Sequence, residues 1–151
     1  MFTFGYSQNN TSIKPVLNAY LGLKEALVAT NNEQAITSAT TLVKALSAVN
    51  TADLNAASNK TWGKLSNDLI NAAKLIQASN DISVQRDQFV TLSSNMYLRV
   101  KEAKADVPVY YQFCPMANKG KGANWLSLEN KVKNPYYGSR MLSCGKVVET
   151  L

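Results

Sequence analysis

Apolar residues recur at three-to-four spacing through the first hundred residues and lose that rhythm at Pro108. From Ser12 to about Thr30 the stripe is Ile13, Val16, Leu17, Tyr20, Leu21, Leu27 and Val28, with Ser12 as the expected cap and Pro15 in the first turn. Asn31 and Asn32 interrupt it. A second stripe, Ile36, Ala39, Val43, Leu46 and Val49, predicts a helix from about Glu33 to Val49 that pairs with the first as a hairpin. The polar stretch TADLNAASNKT leads into a third, Trp62, Leu65, Leu69, Ala73 and Ile76, ending near Ser79. A fourth carries Phe89, Leu92, Met96 and Val100 on one face, with Asp81 or Ser83 as its N-cap and Lys101 and Lys104 at the negative end of its dipole.

Four amphipathic helices joined by short connections must cover one another's apolar stripes. The prediction is an all-α fold: an up-down-up-down four-helix bundle over residues 12–106. The remainder, 107–151, reads as an irregular tail packed on the bundle within the same domain. VYYQF is a short strand or extended run, followed by the loop NKGKG, a WLSL segment, the turn-prone KNPYYGS and a closing KVVETL.

A length of 151 residues fits one domain with its own core. No run approaches the roughly 18 apolar residues of a membrane-crossing helix, so no membrane span is expected. Residues 1–11 read as a disordered tail or the remnant of an export signal cleaved near Ser7 and Gln8, because MFTFGYSQ is apolar and aromatic but lacks a basic start. The formal charge is +6. Much of that excess lies in the tail, spread singly, which suits a solvated surface better than a polyanion groove and argues against nucleic acid as a partner.

Histidine is absent, which removes the commonest general base and every Ser-His or Cys-His nucleophile pair. With no paired-carboxylate or phosphate-loop motif either, the chain is expected not to be an enzyme. The chemistry that remains is sulfur. Cys114-Pro-Met116 opens the tail and Met141-Leu-Ser-Cys144-Gly closes it. Thiolate and thioether donors suit copper(I) or silver(I) without histidine or carboxylate, so Cys114, Met116, Met141 and Cys144 form a candidate metal set. Pro115 would stiffen one arm and Gly145 let the other approach closely. The competing reading is a Cys114–Cys144 disulfide across the tail. Residue types leave both open.

The tail's rings, among them Trp125, Tyr136 and Tyr137, are expected to dock it on the end of the bundle. In helix four, Arg86 lies beside the apolar face, where it either holds the tail through hydrogen bonds to backbone carbonyls or stands as a solvated surface arginine; residue type leaves both open.

The string YYQFCPMANKGKGANWLSLENKVKNPYYGSRMLSCG, preceded by QRDQFVTLSSNMY, closely resembles a bacterial domain family of undetermined function. That family has a CPM, WLS, NPYYG and ML-CG tail after a helical bundle. It occurs alone, exported, and appended to periplasmic adaptors of copper/silver efflux systems. The opening YYQFCPM also resembles half of the small heavy-metal-binding domain of such adaptors, but Ala117 and the MLSCG segment depart from its pattern, so no histidine ligand carries over. The resemblance implies a periplasmic or exported soft-metal-binding or efflux-accessory protein, with an efflux adaptor or another envelope protein as partner. The alternative is a metal-free, disulfide-stapled interaction module in which Arg86, Trp125, Tyr136 and Tyr137 shape the docking surface.

Overall fold

In the computed structural model, the backbone is described from Gln8 to Leu151 and side chains from Ile13 onward. Four helices come first: α1 (Gln8–Val28), α2 (Asn32–Ser47), α3 (Ala56–Gln77) and α4 (Ile82–Ala103). Three strands follow, β1 (Tyr110–Cys114), β2 (Ala123–Ser127) and β3 (Lys146–Thr150). The chain is mostly helical.

Short polar side chains set the helix starts. Asn31 accepts from the Gln34 N–H at 3.0 Å, Asn55 from Ser58 at 2.9 Å and Asp81 from Ser83 at 2.9 Å, each filling one of the orphan donors of a helix N-terminus. Asp81, not Ser83, is the cap of α4. The start of α1 also differs from expectation. It lies at Gln8, about one turn before Ser12, which leaves Pro15 in the helix interior. The reading of residues 1–11 as a tail or signal remnant therefore falls mainly on residues 1–7, which lie outside the described residues. No helix among the described residues is long and apolar enough to cross a membrane.

The helices pack in chain order, α1 on α2, α2 on α3 and α3 on α4, and α4 also meets α1. Leu23, Leu27, Leu42, Leu69, Ile76, Phe89 and Leu92 are wholly removed from solvent between them. Alanines carry the close approaches: Ala35, Ala39 and Ala73 are fully buried, and a larger side chain at any of them would overpack the contact.

The tail is more regular than its composition suggests. β1 is the centre of an antiparallel sheet of order β2-β1-β3, with Tyr111 opposite Leu126 and Phe113 opposite Lys146. A register irregularity lies between Tyr111 and Gln112 on the β3 side. Val109 and Leu151 exchange both backbone hydrogen bonds, at 3.2 and 2.8 Å, and prolong the β1–β3 ladder to the last residue. β2 lies on α4 and α1. Its Leu126 N–H donates to the buried Tyr20 hydroxyl at 3.0 Å, and that oxygen is 2.7 Å from Ser93 Oγ. Tyr20 stacks on Phe89, Phe89 meets Tyr136, and Tyr136 meets the edge of Trp125. This chain of rings fuses the tail to the helical core.

Candidate functional site

The sheet register explains how two cysteines thirty positions apart meet. Along β1, Gln112 and Cys114 face inward, and Cys114 is fully buried. Phe113 pairs with Lys146, so one step further along the ladder Cys114 comes beside Cys144 and Gly145. The two sulfurs are 2.6 Å apart. Gly145 makes this approach feasible. At φ 137° it occupies backbone space that favours glycine, and a Cβ there would sit 2.9 Å from the Phe113 carbonyl and 3.0 Å from the Trp125 ring.

Asn134, wholly buried, holds the Cys144 segment in place. Its amide donates to the Cys144 carbonyl at 2.8 Å, and its Oδ1 accepts from the N–H groups of Tyr136 and Tyr137 at 2.7 and 3.2 Å. Its own N–H donates to the Leu142 carbonyl at 2.8 Å. The Asn-Pro pair that opens the NPYYG run was the signal available for this turn, since an Asn side chain readily caps the backbone two residues on.

The four candidate sulfurs do not converge equally. Cys114 and Cys144 touch. Met116 is 55% exposed and lines, with Cys144, Phe113 and Lys146, an open apolar cavity of about 410 Å³. The Met141 side chain is not in that lining; its carbonyl accepts from the Cys144 N–H at 3.1 Å. Two thiolates bound to one tetrahedral ion at about 2.3 Å each stand roughly 3.7 Å apart, so this pair must open by about 1 Å to admit a metal. Among the described residues, no three Cys, Asp or Glu side chains gather into a further donor set. The Cys144 thiol is held above its ordinary pKa, first by its hydrogen bond with Cys114 and then by burial, against a smaller opposing effect of the Met116 backbone. A thiol raised in this way is not an activated nucleophile at neutral pH.

The docking candidates divide by position. Trp125 and Tyr136 are core residues, and the Tyr136 hydroxyl donates to the Asn124 carbonyl at 2.6 Å. Arg86, only 8% exposed, donates from Nε to Pro135 O and from Nη2 to Leu27 O, both at 2.8 Å, and from Nη2 to Thr30 Oγ1 at 3.1 Å. It thereby ties the tail to the end of α1. Gly138 permits this contact, since at φ 58° a Cβ would meet Thr30 Oγ1 at 2.5 Å and the Val28 carbonyl at 2.9 Å. Tyr137 is half-buried, its hydroxyl donating to Met116 O at 2.7 Å and its ring facing the Arg140 guanidinium at 5.5 Å. Lys119 and Arg140, which the sequence reading counted only as surface charge, join Arg86 and Tyr137 around a second cavity of about 410 Å³ between α4 and the tail.

Fold and site together define a small helical domain carrying a β-sheet tail closed by a cysteine pair. The chain belongs to the family described as "Protein of unknown function (DUF3347)", whose model matches residues 16–107. That match begins inside α1, covers the other three helices and stops short of the sheet. No curated protein and no solved structure matches the chain.

Proposed function

We propose that this protein is an exported, non-enzymatic interaction module in which a Cys114–Cys144 disulfide fixes the fold of the tail carried on an up-down-up-down bundle, so that the tail presents a docking surface to an envelope partner such as an efflux adaptor. The observation that carries this reading is the 2.6 Å approach of the two sulfurs, closer to bonding distance than to the spacing of two ligands on a metal. A bond there closes a loop of thirty positions and would stabilise the fold by about 3–4 kcal/mol in the chain-entropy account. Such a bond persists in an oxidising compartment, which is what supports export. The raised Cys144 pKa and the absence of histidine support a role other than covalent or acid–base catalysis.

A count of free thiols on denatured protein recovered from the bacterial envelope tests this directly. No free thiol is expected, with reduction lowering the denaturant midpoint. Two free thiols in that material would sink the staple.

A second reading has one observation in its favour. The exposed Met116 thioether borders the same cavity as Cys144, so the reduced pair plus Met116 offers three soft donors for copper(I) or silver(I) once the sulfurs part. The reading predicts one-to-one copper(I) retention by the reduced protein, titrated anaerobically against a competing chelator, and its loss in Cys114→Ser, Cys144→Ser and, in part, Met116→Leu. Met141→Leu would leave it unchanged.

A further inference from the structure

The cavity between α4 and the tail collects cations that form no ion pair among the described residues: Arg86, Lys119 and Arg140 all line it. Asp87 is the one carboxylate of the lining, so the wall keeps an excess of positive charge. Arg86 is the telling member. Its hydrogen bonds go to two carbonyls and a hydroxyl, all neutral, and they use Nε and Nη2, leaving Nη1 without a protein acceptor. The residue as a whole is only 8% exposed and forms no ion pair among the described residues, and partial burial of its charged end, followed by the nearby Arg140, holds its pKa below the usual arginine value. An anion in the cavity would relieve both effects.

The rest of the lining sets the shape of that anion. Ile82, Val90 and Ala117 supply apolar wall, and the rings of Tyr136 and Tyr137 border it. A volume of about 410 Å³ is far more than a bare inorganic anion fills and lies within the range of sites for small organic groups. The cavity spans two parts of the molecule: Ile82 to Val90 come from α4, and Ala117 to Arg140 from the tail. The Tyr137 hydroxyl holds the Met116 carbonyl, so the two tail segments move as one wall, and Cys114 and Cys144 lie just before the first segment and just after the second. The sulfur pair thus stands where it can fix the two tail segments of the cavity wall to each other.

We infer that this cavity is the docking site of the module, and that the partner protein enters it with a carboxylate side chain next to an apolar or aromatic one. The inference rests on the reading of the chain as an interaction module and gives its partner a chemistry. Arg86 and Arg140 take the carboxylate; Ile82, Val90 and Tyr137 take the neighbouring apolar group.

The test uses the oxidised full chain, ¹⁵N-labelled, titrated with 3-phenylpropionate as the minimal carboxylate-plus-ring probe. A probe of this size should bind with a Kd on the order of a few millimolar. Saturable shifts are expected at Thr30, Asp87, Asn118 and Tyr137. The neutral 3-phenylpropanamide and inorganic sulfate should each bind at least tenfold more weakly, and Arg140→Gln should weaken the carboxylate about fivefold while leaving the rest of the spectrum unchanged. Arg140 is exposed, so this variant folds. No saturable shift around the cavity, equal binding of the amide, or sulfate binding as tightly as the carboxylate would each overturn the proposal. The thiol count fails or succeeds separately: free thiols with a working cavity remove the staple and keep the site, whereas a closed disulfide with an inert cavity does the reverse.

Discussion

The helical half and the tail are held together by different means. Between α1 and α4 the buried apolar residues are mostly Leu, Ala and Ile, arranged so that each stripe covers its neighbours, with Lys24, Ser58, Gln85, Ser93 and Arg99 buried among them and side-chain caps at the helix starts. The tail has few aliphatic residues of its own inside. It relies on rings laid against α4, on Arg86, Asn134 and Gln112 reaching backbone carbonyls, and on two sulfurs in contact. The first kind of assembly is redundant, because many contacts share the burden. The second is discrete, and single atoms decide whether the tail stays docked. This is the structural reason for placing recognition in the tail and at its seam with α4.

The two tryptophans allow the contrast to be tested, since Trp62 reports on α3 and Trp125 on β2. The largest effect should come from Phe89→Ala, because Phe89 is fully buried and touches Tyr20 on one side and Tyr136 on the other. A loss of about 3–5 kcal/mol is expected, with both tryptophan signals melting together. If the Trp125 signal alone moved, the two halves would be less tightly coupled than the ring stack implies.

Arg86→Met comes next. It keeps the aliphatic bulk but leaves the Pro135 carbonyl without its donor and the Leu27 carbonyl with the Thr30 N–H alone, at a cost of about 2 kcal/mol. The change should appear first at Trp125 and in proteolysis near Pro135, with the far-ultraviolet helix signal retained. Gly145→Ala should cost about 1–3 kcal/mol, since the new Cβ presses on the Phe113 carbonyl and forces the backbone out of a glycine-favoured conformation. It should also slow formation of the proposed Cys114–Cys144 disulfide from the reduced protein, measured by quenched thiol labelling. An unchanged rate would mean that the segment reaches Cys114 without the close approach at Gly145.

The same contrast explains what the sequence could reveal. Helical periodicity is a local property, so four stripes announce four helices, and what stays open lies at the ends, where Asp81 and Ser83 both suit the cap of α4 and only the backbone selects Asp81. The start of α1 was misread because Ser12 and Pro15 imitate a helix beginning. In the tail VYYQF is legible as a strand, whereas WLSL and KVVETL stand out only as segments, and their pairing on either side of β1 depends on contacts far apart in sequence. The cysteines stood out by type. Their meeting, the separate position of Met141, and the joining of Lys119, Arg140 and Arg86 around one cavity follow from register and turn geometry, which no local pattern carries. Asn134 was hidden for the same reason: buried asparagine and exposed turn asparagine look alike until the backbone folds around them.

The smallest expected effect concerns the seam where β3 meets α4. Glu149 accepts from the Tyr97 hydroxyl at 2.6 Å and pairs with Lys101 at 3.1 Å, while the Tyr97 ring stacks on Tyr111 at 4.0 Å. The Tyr97 and Lys101 hydrogen bonds hold the Glu149 carboxyl below its usual pKa of 4.5. A carboxylate lowered on folding contributes stability that is present above the unfolded value and is lost as pH falls through the folded one. The docked edge of β3 should therefore loosen below about pH 4.5, and Glu149→Gln should remove that part of the acid dependence while Tyr97→Phe reduces it. The group lies at the surface, so the effect is small, and rising salt should weaken only its ionic part. Amide exchange at Val147 and Glu149, followed from pH 6 to pH 3.5, would resolve it better than global unfolding. Equal acid sensitivity in Glu149→Gln and the parent would assign the loosening to Asp81, whose carboxylate is likewise lowered by its hydrogen bonds to Ser83 at the start of α4, and would move the acid-labile point from the tail to the helical half.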